Sequence, residues 1–328
     1  MGSSLRQALL AAPASILLLL ACSSNGDTLD GGSSGSSGTS SSSGSSGSSS
    51  GTSGTSSGTS GTSGTSGTSG TSGTSGSSGT SGTSGTSGSS GNGDGGTIGK
   101  LTPGDSTLTI NAANTARSIL LHVPTAVTKG PASLVIALHG NGDQNTNFVA
   151  TSGIKALADV DGFVLAAPQG IPQTITVGGQ TLSNISWDAY RTVAGGNIDL
   201  PLLQALQAQL AGTGSIDLKH VIVYGYSQGG YMSFRYGMDT ASTLSCTGLI
   251  GAANPLGPQL TAAAARKIPV ALQIGDQDGA IGQARSTKTD LEGKGFPLDY
   301  HEIAGAGHVP VAGGVTVPLT YCLGQALP

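Results

Sequence analysis

Apolar, β-branched runs alternate with stretches of helical spacing between residues 106 and 305. The runs are Ser118–Val123, Ser133–Leu138, Gly162–Ala167, His220–Tyr224, Thr247–Ala252, Ile268–Ile274 and Leu298–Ile303, each bounded by turn residues. Several are continuously apolar rather than strictly alternating, as strands buried on both faces require. Between them lie apolar positions at helical intervals. The clearest set is Leu200, Leu203, Leu206 and Leu210. It predicts a helix capped at its start by Asp199, with Pro201 just inside. Strands alternating with helices predict an α/β domain, a mostly parallel sheet with helices on both faces. In such a sheet the working residues sit at the carboxyl ends of the strands.

No such pattern exists before residue 97. From Gly31 to Gly91 the chain repeats three-residue units such as Gly-Thr-Ser and Gly-Ser-Ser. It has nothing apolar to bury, so residues 23–96 are predicted to be a disordered linker. A flexible coil of that length reaches roughly 50 Å, which suits a tether. Residues 1–22 read as a secretory signal, with Arg6 followed by an apolar stretch from Ala8 to Ala21. The end of that stretch, Leu19-Leu20-Ala21-Cys22, resembles the bacterial lipobox, in which the cysteine carries lipid and becomes the mature N-terminus. Ser23 in the next position leans toward an outer-membrane or cell-surface address. A soluble protein cleaved nearby and released from the cell is the alternative.

Residues 97–328 carry the globular variety, and their length suits one domain. They hold 12 Lys and Arg against 14 Asp and Glu, with no cationic or acidic run. Nucleic acid is therefore not expected as a partner. With Cys22 assigned to lipid, Cys246 and Cys322 remain as a pair that an oxidising compartment allows to bridge. Two buried thiols are the alternative. No Cys/His cluster has metal spacing, so no structural metal is expected.

The chemistry concentrates in Gly225-Tyr226-Ser227-Gln228-Gly229. Gly-x-Ser-x-Gly alone is a weak signal, since the linker matches it three times, at 31–35, 47–51 and 54–58. Ser227 differs in context. It follows the run His220–Tyr224 and precedes the helix-like segment Gln228–Met238, the strand–turn–helix order of a nucleophile elbow. The hydroxyl needs a base. His308 lies in the loop Gly305-Ala306-Gly307-His308, beyond the last predicted strand, whereas His301 falls inside that strand. An orienting carboxylate is expected after Ile268–Ile274, where Asp276 and Asp278 stand. Asp278, farther into the loop, is the candidate, and Asp276 is read as capping the turn. The chain order Ser, Asp, His is that of the α/β-hydrolases. An oxyanion hole is expected from the N–H groups of Gln228 and of Asn141, in the loop His139-Gly140-Asn141-Gly142.

The segments Leu138–Gly142, Ala167–Gly170, Trp187-Asp188, Gly225–Gly230, Gly275–Asp278 and Gly307-His308 together resemble the feruloyl and acetylxylan esterase group. They are similar too to polyhydroxybutyrate depolymerase-like esterases. The resemblance implies hydrolysis of a carboxylic ester by a serine triad, without metal or organic cofactor. It implies as substrate an acylated plant polysaccharide or, alternatively, a short polyester. Relatives of the depolymerase type often carry Cys where this chain has Asn141, which weakens the polyester branch. Trp187, Tyr190 and Tyr226 are candidates for an acyl or sugar platform, with core or rim positions as the equal alternative. A surface-tethered binding protein on an inactive hydrolase scaffold is the reading from another class. Acyl transfer by the same residues is a third.

Overall fold

The computed structural model describes residues 98–177, 180–310 and 316–328. The expected signal segment, Cys22 and the expected linker of 23–96 lie outside the described residues.

Two sheets form. The larger contains β1 (Gly104–Ala112), β2 (Thr115–Val123), β3 (Ala132–Leu138), β4 (Val164–Pro168), β7 (Ile216–Tyr226), β8 (Cys246–Ile250), β9 (Val270–Gly275) and β10 (Leu298–Ile303). Its spatial order is β1-β2-β4-β3-β7-β8-β9-β10. β1 and β2 pair antiparallel, as do β2 and β4, and every pair from β4 through β10 is parallel. The smaller sheet is the antiparallel hairpin of β5 (Ile171–Val177) and β6 (Gln180–Ser186). The helices are α1 (Asn145–Ser152), α2 (Ile154–Asp161), α3 (Asp199–Ala211), α4 (Gln228–Asp239), α5 (Pro258–Ala263), α6 (Ile281–Lys294) and α7 (Thr316–Leu323).

Successive strand residues point to opposite faces, and here both faces are apolar. Leu134, Ile136 and Leu138 of β3 join one core, with Val221 and Val223 of β7 and Leu203, Leu206 and Leu210 of α3. Val135 and Ala137 join the other, with Ile222 and Tyr224 and with Phe148 of α1, Ile154 of α2 and Leu319 of α7. The mostly parallel, doubly covered sheet read from the apolar runs is therefore the observed fold.

Several local expectations need correction. Asp199 does not cap α3. Asn197 does, its Oδ1 accepting the N–H groups of Asp199 and Leu200, each at 2.9 Å. The Asp199 side chain is committed elsewhere, to a buried ion pair with Arg117 at 2.8 Å. The run from Gly162 starts its strand two residues late, because Gly162 ends α2 in the left-handed region at φ 74°. The run Thr247–Ala252 extends too far, since β8 stops at Ile250 and Gly251 turns at φ 59°. β1 and the β5–β6 hairpin have no counterpart among the expected strands. β1 is a largely exposed edge strand, and its turn into β2 is made by Ala113 and Asn114, both at positive φ, the geometry of a tight two-residue hairpin turn. Cys246 of β8 is bonded to Cys322 of α7.

Candidate active site

Three loops leave the carboxyl ends of β7, β9 and β10 side by side. Ser227 sits between β7 and α4 with φ 53° and ψ −122°, a conformation that side-chain-bearing residues rarely adopt. Close packing holds it there. A Cβ on Gly225 would lie 2.2 Å from the Gly229 carbonyl oxygen, and one on Gly229 would lie 2.2 Å from that of Leu138. Only glycine fits either flank, which gives the spacing of the motif its physical cause. The Ser227 N–H is spent on Ile250 O at 2.8 Å, locking the elbow to β8.

Ser227 Oγ lies 2.9 Å from His308 Nε2, and His308 Nδ1 lies 2.8 Å from Asp278 Oδ2. Asp278 is 3% exposed, so it acts only on what the fold places against it. Its other oxygen accepts the Ala280 N–H at 2.8 Å. Burial pushes its carboxyl pKa up, but the hydrogen bonds of His308 and Ala280 and the charge of His308 outweigh this and hold it below its ordinary value. Asp278 thus stays a carboxylate, and its acceptor oxygen fixes the imidazole with Nδ1 protonated and Nε2 facing the serine. The ring of His308 stacks on Tyr226 at 5.5 Å between centroids, and the Tyr226 hydroxyl donates to His308 O at 3.2 Å. Asp276 fastens the turn instead, accepting the Gly305 N–H at 2.9 Å. His301 stays on β10, bonded to Asp299 at 2.9 Å.

The opposite wall is the loop after β3. Among the described residues no acceptor takes the backbone N–H of Asn141 or of Gln228, while that of Gly142 is bound to Ile185 O at 2.7 Å. Gln228 opens α4, where the first N–H groups have no partner within the helix. Gly140 lies against the elbow, since a Cβ there would meet Ser227 Cβ at 3.5 Å. The loop is shaped by His139, which is fully buried. Its Nε2 accepts the Gly170 N–H at 2.9 Å, and its Nδ1 donates to Gly140 O at 2.8 Å. Desolvation lowers its pKa, more than the Gly140 bond and nearby carboxylates raise it, so it stays neutral. It supports the loop and does not face the serine.

Trp187 corrects the expectation of an exposed platform. It is fully buried, and its Nε1 donates to His139 O at 2.9 Å. Its own carbonyl accepts the Gln228 side-chain amide at 2.7 Å. A single residue therefore braces both expected oxyanion donors. Tyr190 and Tyr226 are half-buried. Burial of the Tyr190 phenol pushes its pKa up to about 12, against a hydrogen bond with Gln228 that lowers it, so this hydroxyl stays protonated.

Sequence reasoning missed what lies beneath this loop. Arg117 of β2 packs over the Trp187 ring at 5.4 Å, donates from Nε to Gln169 O at 2.8 Å, and pairs with Asp199. Asp199 also accepts the Asp188 N–H and the Gln173 amide, each at 2.8 Å. Both Arg117 and Asp199 are buried. Residues 167–170 and Asp188 stand out only as points of resemblance, Trp187 also as a platform candidate, and no spacing rule links them to Arg117 or Asp199. Among the described residues no group of three or more His, Cys, Asp or Glu could hold a metal ion.

A family model described as phospholipase/carboxylesterase matches residues 125–291, just over half of the 328-residue chain. The match takes in the oxyanion loop, the elbow and Asp278. No curated protein matches the chain. Among solved structures, a ferulic acid esterase aligns with TM-score 0.51 at 14% identity, covering 67% of this chain and 97% of that one. A fluorophosphonate-binding serine hydrolase of Staphylococcus aureus aligns at 0.53 with 13% identity, covering 68% and 99%. An S-formylglutathione hydrolase of the same organism aligns at 0.52 with 12% identity, covering 67% and 98%. At these identities the likenesses bear on the fold alone.

Proposed function

We propose a catalytic role from one premise: the chain belongs to the phospholipase/carboxylesterase family. Within that family of esterase-type hydrolases, the reading is a serine carboxylic ester hydrolase that removes feruloyl or acetyl groups from plant polysaccharide. One observation carries the triad assignment, the unbroken contact Ser227–His308–Asp278 at 2.9 and 2.8 Å.

In this mechanism His308 Nε2 takes the Ser227 proton as Oγ attacks the ester carbonyl. The C–O double bond opens to a tetrahedral oxyanion, held by the N–H groups of Asn141 and Gln228. Asp278 stabilises the imidazolium that forms without taking its proton. The intermediate collapses, His308 gives the proton to the leaving alcohol, and Ser227 is left acylated. Water, deprotonated by His308, then releases the acid and restores the serine. Losing one oxyanion donor would cost on the order of 3 kcal/mol of transition-state stabilisation, which explains why a whole buried layer supports that loop.

The feruloyl or acetyl assignment is supported by the sequence resemblance and is consistent with a fold shared by a ferulic acid esterase. The proposal places the domain outside the cell, tethered through lipid on Cys22 and the linker. Purified protein is expected to cleave short-chain aryl esters, methyl ferulate and acetylated xylan, and Ser227→Ala to abolish this and labelling by a fluorophosphonate. An alanine variant as active as the parent would sink the esterase reading. A parent that neither labels nor hydrolyses would leave a binding protein.

A further inference from the structure

We infer that a groove on the β5–β6 hairpin is the subsite for a neutral, hydroxyl-rich part of the substrate, a sugar ring on the alcohol side of the ester. This deepens the esterase reading and rests on it.

The hairpin stands apart from the central sheet. A lone two-stranded hairpin is marginal in water, so its attachments reveal where it is held. One is to the oxyanion loop. Ile185 O accepts the Gly142 N–H at 2.7 Å, and Asn184 Nδ2 lies 2.8 Å from where a Cβ on Gly142 would stand. Gly142 adopts φ +77°, so only glycine brings loop and hairpin this close without strain. The other attachment is to the buried layer. Gln173 donates its amide to Ser186 O at 3.1 Å and to Asp199 at 2.8 Å. The hairpin is thereby fixed to the same carboxylate that pairs with Arg117.

The hairpin carries a groove of about 240 Å³, lined by Pro172, Gln173, Thr174, Ser183, Asn184 and Ile185. It adjoins the expected oxyanion loop, because Asn184 and Ile185 line it and also lie against Gly142. Its size falls below the roughly 300–1,000 Å³ of sites for drug-sized ligands, which favours one ring over a chain. No lining residue carries a charge, which disfavours a phosphate, carboxylate or ammonium ligand. Gln173 commits its amide to Ser186 O and Asp199, and Thr174, Ser183 and Asn184 offer hydroxyls and an amide, groups that both donate and accept, as sugar hydroxyls do. Asn184 Oδ1 is taken by the Ile185 N–H at 2.9 Å, which orients the amide with Nδ2 as a donor. The Thr174 and Ser183 hydroxyls face each other at 2.8 Å on the exposed side. Pro172 and Ile185 supply apolar surface for the C–H face of a ring. A short polyester has ester carbonyls and methyl groups but few donors, so it matches this lining poorly. The plain alternative is a surface crease that binds nothing.

The test uses Thr174→Val combined with Ser183→Ala, both exposed positions. The expected result is about a tenfold fall in the ratio of kcat/KM for an acetylated xylotriose to that for p-nitrophenyl acetate, carried by KM. An unchanged ratio overturns the subsite. Titration of the Ser227→Ala chain with xylotriose, followed by backbone NMR, needs no turnover. Saturable shifts at residues 172–174 and 183–185, weakened when the two groove substitutions are added, are expected. Shifts produced only by a 3-hydroxybutyrate trimer, or none there, overturn the proposal. A parent that binds xylotriose at the hairpin but cleaves no ester would instead remove the esterase reading and leave the groove standing.

Discussion

The two walls of the site are built in opposite ways. The triad wall is a chain of direct contacts between three side chains, each at the end of its own strand, with Asp278 locked by one neighbouring N–H. The oxyanion wall contributes only backbone, and its shape is imposed from behind by His139, Trp187, Gln169, Arg117 and Asp199. On the first wall one residue does one task. On the second, four side chains and the Gln169 carbonyl hold two N–H groups in place, so damage there is expected to appear as lost stability as much as lost rate.

Substitutions can pull the two walls apart. His308→Ala removes the base outright and is expected to lower kcat by about 10⁶-fold. Asp278→Asn leaves a similar shape but presents an amide to Nδ1, for an expected loss of about 10³–10⁴-fold in kcat. The pH profile sharpens this case. The folded state depresses the Asp278 pKa below 3.8, so the stability it contributes is present above the unfolded value and is lost as pH falls through the folded one. Parent activity that declines on acidification while still above pH 4 therefore has another cause than Asp278, and protonation of Asp278 observed above pH 4 would contradict the placement. On the oxyanion wall, Arg117→Met leaves the Asp199 charge buried and unpaired. Its expected cost is about 3–5 kcal/mol in urea unfolding, with part recovered by adding Asp199→Leu. Smallest is Trp187→Phe, which removes a single N–H donor to His139 O. It should cost about 1 kcal/mol and lower kcat a few-fold at unchanged KM.

The same contrast decides what could be read from the sequence. The contact Ser227–His308–Asp278 was legible because each member follows an apolar strand and the three come in the order the α/β-hydrolases share, and the layered sheet was legible because its strands are apolar on both faces. Ser227 was separable from three chance matches by the strand before it and the helix after it. The layer behind the oxyanion loop was not legible. Arg117 and Asp199 are 82 positions apart, and a buried ion pair leaves no period in the sequence. Asp199 was misread as a helix cap because it precedes an amphipathic run, the local rule being right about the helix and blind to the tertiary partner. For Trp187 the sequence leaves a surface platform and a core position open, and the structure shows the core position, where its indole N–H satisfies the His139 carbonyl. β1 lies outside the expected strands because its apolar residues, Leu108, Ile110 and Ala112, alternate with polar ones instead of forming a continuous run, and the β5–β6 hairpin because its residues are polar throughout much of its length.

The Cys246–Cys322 bond closes a span of 76 positions that contains both Asp278 and His308. A protease that nicks any exposed loop inside this span yields two pieces that remain one molecule, with β8, β9 and β10 still hydrogen-bonded and the serine still opposite its base. Wherever proteases are part of the surroundings, such a chain can be cut once and keep its arrangement. Reducing agent should convert that tolerance into loss: a nicked sample stays active until dithiothreitol is added, whereas an intact one survives the same treatment longer.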